Sequence, residues 1–188
     1  MKYYKLMLDM SGKRDVIFHY EDDYGIGQNE LNKGVYYEKW DDRFCFYFDE
    51  NEGDIWTDFI ANDKGWLIVS EKLKFILERA KTSIQFIKLN VKDYKGRRVN
   101  KKYYIANIIK KVDALCLDKS EYFTTYIKGI GEIYTVSKYG VYEEKVEQND
   151  IFKLKENNQV PIFISDKLKK AMENNGVTGF DLVEINVK

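Results

Sequence analysis

His19 is the only histidine in the chain, and it stands in VIFHY, a stretch that suits a half-buried strand better than a general base. One imidazole excludes a two-histidine metal site and speaks against a serine or cysteine triad. No serine stands in a G-x-S-x-G turn either. Carboxylates are more plentiful: Glu21, Asp22 and Asp23, then Asp41 and Asp42, then Asp49, Glu50, Glu52 and Asp54. A pair of them is enough for acid–base work or for holding a divalent ion. Adjacent carboxylates in loops are ordinarily solvated, however, and the spacing of an EF-hand loop is missing. The glycine phrases YGIGQ (24–28) and KGIGE (128–132) lack the full phosphate fingerprint and the helix that should follow it. Cys45 and Cys116 lie in the apolar stretches FCFYF and ALCL, as buried free thiols do, and two cysteines make no disulfide framework. The residues therefore point to no cofactor and no metal, and an enzyme of unspecified type is the weaker reading.

A second chemistry resides in residues 92–102. Lys92, Lys95, Arg97, Arg98, Lys101 and Lys102 cluster there, with Tyr94, Tyr103 and Tyr104 among or beside them. Cations for phosphates and rings for base stacking suit RNA or single-stranded DNA. Against this, basic residues at a hairpin tip are commonly a solvated edge that resists aggregation. The chain as a whole is neutral, with a pI near 6.6, whereas nucleic-acid binders usually carry a basic excess.

The elements that must position these groups show a duplication. LIVSEKLKFILERAKTSIQFIKLNVK (67–92) and IFISDKLKKAMENNGVTGFDLVEINVK (162–188) align with Ser70 on Ser165, Leu73 on Leu168 and Glu78 on Glu173. Each copy begins with a short apolar strand, and a serine placed as a helix N-cap then stops it. Glu71 or Asp166 follows, favourable at the positive end of the helix dipole. Leu73, Ile76, Leu77 and Ala80 recur at helical spacing, as do Leu168, Ala171 and Met172. The second helix is predicted to stop at Asn174-Asn175-Gly176. An alternating strand closes each copy. The unit is strand–helix–strand, and its leucines are expected in a core.

The N-terminal third reads as β with loops: strands over Tyr4–Met10 and Asp15–Tyr20, a polar loop over 21–34, and RFCFYF (43–48) with Phe44, Phe46 and Phe48 on one face. A long hairpin over 90–109 turns near Lys95-Gly96, further strands are expected over 112–118, within 121–144 and over 150–154, and the fold class is α+β. It is a strand-rich single domain over 1–188, with two or three short helices. The acidic part is 1–64; 65–188 holds the repeat units. No apolar run approaches the roughly 18 residues a membrane helix needs. MKYYKLMLDMSGKRD carries charges throughout and no secretory core, so a cytoplasmic location is expected. The neutral total hides segregation: residues 1–64 carry 8 Lys/Arg against 15 Asp/Glu, and residues 65–128 carry 15 against 6. Such asymmetry marks either a surface that meets other molecules or two halves that attract each other.

SEKLK (70–74), YYIANIIKKVDALCLDKSE (103–121), DIFKL (150–154) and IFISDKLKKAMENNGVTGF (162–180) together resemble a bacterial family of polymorphic-toxin immunity proteins. It is immunity family eleven, formerly a domain of unknown function, and the resemblance covers roughly 65–188. It implies a cytoplasmic protein, encoded near a toxin, that binds and neutralises it; it carries over no catalytic residue. The partner so implied is a cognate toxin domain, not a membrane, and nucleic acid through 92–102 is the alternative. On this reading the recognition surface is expected in 1–64, where the resemblance is weakest and the charge is most negative. Its candidates are Glu21, Asp22, Asp23, Trp40, Asp41, Asp42, Asp49, Glu50, Glu52 and Asp54, with Tyr24, Tyr36, Tyr37 and Trp56 as further aromatics. Acids at a rim steer a basic partner, and an exposed ring anchors the dry centre. The plainer alternative is core aromatics and solvated acids.

Overall fold

Ser70 and Ser165 cap their helices as their spacing predicts. Each hydroxyl accepts the backbone N–H three residues on, Leu73 and Leu168 respectively, at 3.2 Å in both cases. This satisfies one of the N–H groups that the first helical turn leaves free. The computed structural model describes residues 1–155 and 161–188. Around these caps the chain lays down two runs of elements in the same order.

The first run is β1 (Tyr3–Leu8), β2 (Ile17–Phe18), β3 (Cys45–Phe48), β4 (Phe59–Asn62), β5 (Ile68–Ser70), α1 (Glu71–Leu77), β6 (Ile84–Lys88) and β7 (Asn90–Asp93). The second is β8 (Tyr103–Ile108), β9 (Lys111–Val112), β10 (Glu121–Ile127), β11 (Gly131–Lys138), β12 (Gly140–Val141), α2 (Glu143–Val146), β13 (Ile151–Leu154), β14 (Ile162–Ser165), α3 (Asp166–Asn174), β15 (Phe180–Glu184) and β16 (Asn186–Val187). The α+β class and the short helices are as expected. Of the strand expected over 112–118, only the start is strand. Leu115 makes an isolated bridge to Val141, and residues 117–119 form a 3-10 turn, which lets Ala114 and Cys116 drop into a core.

Two five-stranded sheets result, ordered β2-β4-β5-β8-β6 and β9-β13-β14-β1-β15. They correspond strand for strand and direction for direction, parallel at the outer β2–β4 and β9–β13 pairs and antiparallel elsewhere. The two runs exchange their first strands: β1 completes the sheet of the second run, and β8 completes that of the first. The registers match as well. Tyr3 lies opposite Ser165, and Tyr103 opposite Ser70. Each of these tyrosines donates its buried hydroxyl to a backbone carbonyl, Val146 O at 3.0 Å or Thr57 O at 2.7 Å. Short parallel pairs, β3–β7 and β12–β16, complete the corresponding units.

Alternation along these strands divides the apolar side chains among three clusters. Val69 and Ile164 turn towards a central cluster with Leu73, Leu77, Leu168 and Met172, which draws on both runs. Ile68 turns outward to a cluster with Phe18, Phe44, Phe46 and Trp66; Phe163 turns outward to one with Tyr3, Phe152 and Val141. Leu73 and Leu168 are 1% and 3% exposed, equivalent in burial as well as in sequence.

A reciprocal pair of carboxylates fastens the two runs. Asp58 accepts hydrogen bonds from Ser70 Oγ and from the Thr178 backbone N–H, and pairs with Lys72 at 2.7 Å. Asp150 accepts from Ser165 Oγ and from the Lys81 backbone N–H, and pairs with Lys167 at 2.9 Å. Each aspartate thus serves its own cap while holding the loop beyond the other run's helix. Gly179 allows one of these approaches, since a Cβ there would lie 2.4 Å from Phe59 O. Burial would raise both carboxyls, but Lys72 with Ser70 and Thr178 in one case, and Lys81 with Lys167 and Ser165 in the other, hold them below the ordinary carboxylate value. A depressed native pKa stabilises the fold above the unfolded value of about 3.9, and the contribution disappears as pH falls through the native value. Asp58→Asn and Asp150→Asn should each cost about 1–3 kcal/mol at neutral pH. They should also lose less stability than wild type when acidified below about pH 4. Urea midpoints between pH 2.5 and 7 test this; parallel pH profiles for variant and wild type would remove the carboxylates from the acid response.

Candidate functional site

Strand β3 carries the alternation that builds the first surface. Phe44 and Phe46 point into the outer core of the first run, which leaves Arg43, Cys45 and Tyr47 on the opposite side. Its parallel partner β7 sets Asn90 beside Cys45 and Lys92 beside Tyr47, with Val91 buried between them. The predicted hairpin turn follows. Gly96 adopts φ +81°, Asp93 accepts from the Lys95 and Arg97 N–H groups, and Arg98 returns opposite Lys92. The result is a cleft with two ends. One end, of about 600 Å³, takes in Lys88, Lys92, Arg98, Lys101 and Lys102. The other, of about 340 Å³, takes in Glu21, Asp22, Tyr24, Tyr47 and Tyr94. Arg43, Cys45 and Lys92 line both.

The acidic candidates are only partly free. Asp23 faces Lys64 at 3.5 Å, Asp41 forks Arg43, Asp54 forks Arg14, and Glu50 lies 3.6 Å from Lys95. The Asp41 carboxyl is held at about 2, chiefly by the Arg43 side chain. Glu52 and Asp63 clamp the two ring nitrogens of His19 at 2.7 and 3.0 Å. Burial opposes the imidazolium, but these two carboxylates raise the His19 pKa, and neither nitrogen is open to a substrate. Asp22 and Asp49 accept backbone N–H groups of their own turns. Glu21 and Asp42 project as exposed carboxylates. Trp40 turns inward onto Phe44 and Trp66, and Trp56 packs on Phe48, Phe18 and Tyr103, so neither is an exposed anchor. Tyr24 and Tyr36 are exposed.

Of the three tyrosines at the basic hairpin, Tyr94 is exposed and the other two are covered to differing degrees. Tyr103 is buried, Tyr104 packs against the central cluster, and Tyr94 lines the acidic end of the cleft. Among the described residues, no group of three or more His, Cys, Asp or Glu side chains is gathered as a metal site would need. Cys116 is buried and Cys45 half-buried, and burial raises the Cys45 thiol away from reactive thiolate character. Two buried lysines escaped the sequence reading. Lys64 donates to Ile26 O and Lys153 to Asn32 O; burial, reinforced by Lys111, lowers Lys153 to about 8. Each ties down a loop carbonyl.

The second surface is the ribbon β10–β11, which has no strand counterpart between β2 and β3. Among the described residues these two strands pair with each other alone, from Tyr122 opposite Val136 to Ile127 opposite Gly131. Gly129 and Gly131 take φ +87° and +99° at the tip, which L side chains rarely adopt. Val136 roots the ribbon in the outer core of the second run, while every residue of β10 is exposed. Phe123, Tyr126 and Ile130 are 61%, 73% and 72% exposed, with Tyr122 and Ile127 beside them. Large apolar side chains exposed together on one ribbon mark a contact site. Sequence alternation located the strands but gave no sign that β10 is exposed along its whole length.

Among the described residues no helix is long and apolar enough to cross a membrane. No curated protein matches the chain. A family model matches residues 2–187, taking in the acidic N-terminal third as well as the repeat units. The chain belongs to the immunity protein family Imm11.

Proposed function

We propose that this protein binds and neutralises a cognate bacterial toxin by direct protein–protein contact. The observation that carries this reading, beside family membership, is the exposed apolar ribbon β10–β11. A two-stranded ribbon is at best marginally stable alone, and its uncovered rings suit the dry centre of an interface. An inhibitor of this kind requires no nucleophile or cofactor. The test is titration of the purified toxin domain encoded beside this chain's gene. Toxin activity should fall linearly to an end point near one equivalent, and co-expression should restore growth. Protection at strongly substoichiometric amounts would instead indicate an enzyme acting on the toxin or its product.

The acidic face enters this proposal as a steering surface, reduced to the exposed carboxylates Glu21, Asp22, Asp42 and Glu50 by the inward turn of Trp40 and the pairing of Asp23, Asp41 and Asp54. The family match covers 1–64, so the face now rests on its charge rather than on weak resemblance. Long-range charge mainly changes association rate. Asp22, Asp23 and Asp49 hold their own turns or the buried Lys64, so the test reverses the exposed Glu21, Asp42 and Glu50 together, which should leave the fold intact and slow association with the toxin at low salt. An unchanged on-rate in stopped-flow mixing would remove this face from the interface.

A further inference from the structure

Building on the toxin-neutralising reading, we infer that the basic end of the β3–β7 cleft seats an acidic segment of the toxin. Lys88, Lys92 and Arg98 are exposed in this cleft and form no ion pair among the described residues. Elsewhere the chain sets a carboxylate against many of its cations, Arg14 with Asp54, Lys95 with Glu50 and Arg97 with Asp93, and at the edge of this cleft Lys102 is taken by Glu71. Here one carboxylate, Asp42, lines the space. The backbone fixes the arrangement, because burying Leu89 and Val91 forces Lys88, Asn90 and Lys92 to the outer face. The bridge between Lys92 and Arg98 sets two like charges opposite each other. Such a pairing is unfavourable across strands, and an anion lying between them relieves it.

Carboxylates fit this space better than a nucleic-acid strand. Among the described residues no aromatic ring lines the basic end, so a base seated there has no ring on which to stack. The adjoining end presents Glu21 and Asp22, which repel a phosphodiester chain continuing in that direction. A short acidic run followed by a cation matches both ends and fixes the orientation of the partner.

The test uses the triple variant Lys88→Glu, Lys92→Glu, Arg98→Glu and its Gln counterpart, against the purified toxin domain encoded beside the gene. All three positions are exposed, so thermal unfolding should be unchanged. We expect Kd at low salt to rise at least tenfold for the Glu variant and by less for the Gln variant, with a shallower dependence on salt. A single-stranded RNA 12-mer should not displace the toxin. Wild-type affinity in both triple variants overturns the inference while leaving neutralisation standing. RNA that binds wild type more tightly than the toxin does, and is lost in the Glu variant, overturns it in favour of nucleic acid. A wild-type protein that forms no complex removes the neutralising reading and this inference together.

Discussion

Alanine at Leu73 or at Leu168 will each destabilise the protein by about 2–5 kcal/mol, and the two losses will be similar. Both leucines are almost fully buried in the one cluster that draws on both runs of elements. Both occupy the third helical position after a capping serine, so truncation opens a cavity in corresponding places. A domain of this size typically has about 5–15 kcal/mol in total, so the double variant should lose a large share of its stability. Urea denaturation of the single variants measures the effect. A loss below about 1 kcal/mol at either site would show that the two units do not share a core. Unequal losses would show that the duplicated helices have diverged in packing, though not in sequence.

The repeat was legible where local chemistry is strict. A serine cap, an acid after it and leucines at helical spacing leave a signature within a dozen residues. The exchange of first strands left no such trace. Tyr3-Tyr4 and Tyr103-Tyr104 lie at equivalent register positions, but each pairs with elements far away in sequence. Asp58 and Asp150 likewise read as ordinary acids until the fold brings Ser70 with Thr178, and Ser165 with Lys81, around them. The acidic candidates show the same limit. Their charge was plain, but the cations that neutralise Asp54 and Asp23 stand 40 and 41 positions away, at Arg14 and Lys64. Aromatic side chains were the least legible. RFCFYF placed Phe44 and Phe46 inward through strict alternation, as expected. Trp40 and Trp56, outside any strand, gave no local clue that they fold inward, and the rings of β10 gave none that they do not.

Those rings support the second large effect. At least one of Phe123→Ala and Tyr126→Ala should weaken the toxin complex by about 2 kcal/mol or more, some thirtyfold in Kd, with little change in stability. Little stability is lost because these side chains project from an arm rooted at Val136, so truncating them opens no cavity. By strand pairing Phe123 and Tyr126 face opposite sides of the ribbon. If one face docks, one substitution will act and the other will not. If the ribbon inserts into a cleft, both will act. The Glu121–Lys138 ion pair closes the ribbon at its base, and the ribbon residues 121–138 carry two acids and two lysines, so binding through them should vary little with salt. That separates this contact from the cleft over β3–β7, where salt dependence should be steep. Isothermal titration of the two variants at low and high salt distinguishes these cases, and wild-type affinity in both would exclude the ribbon from the interface.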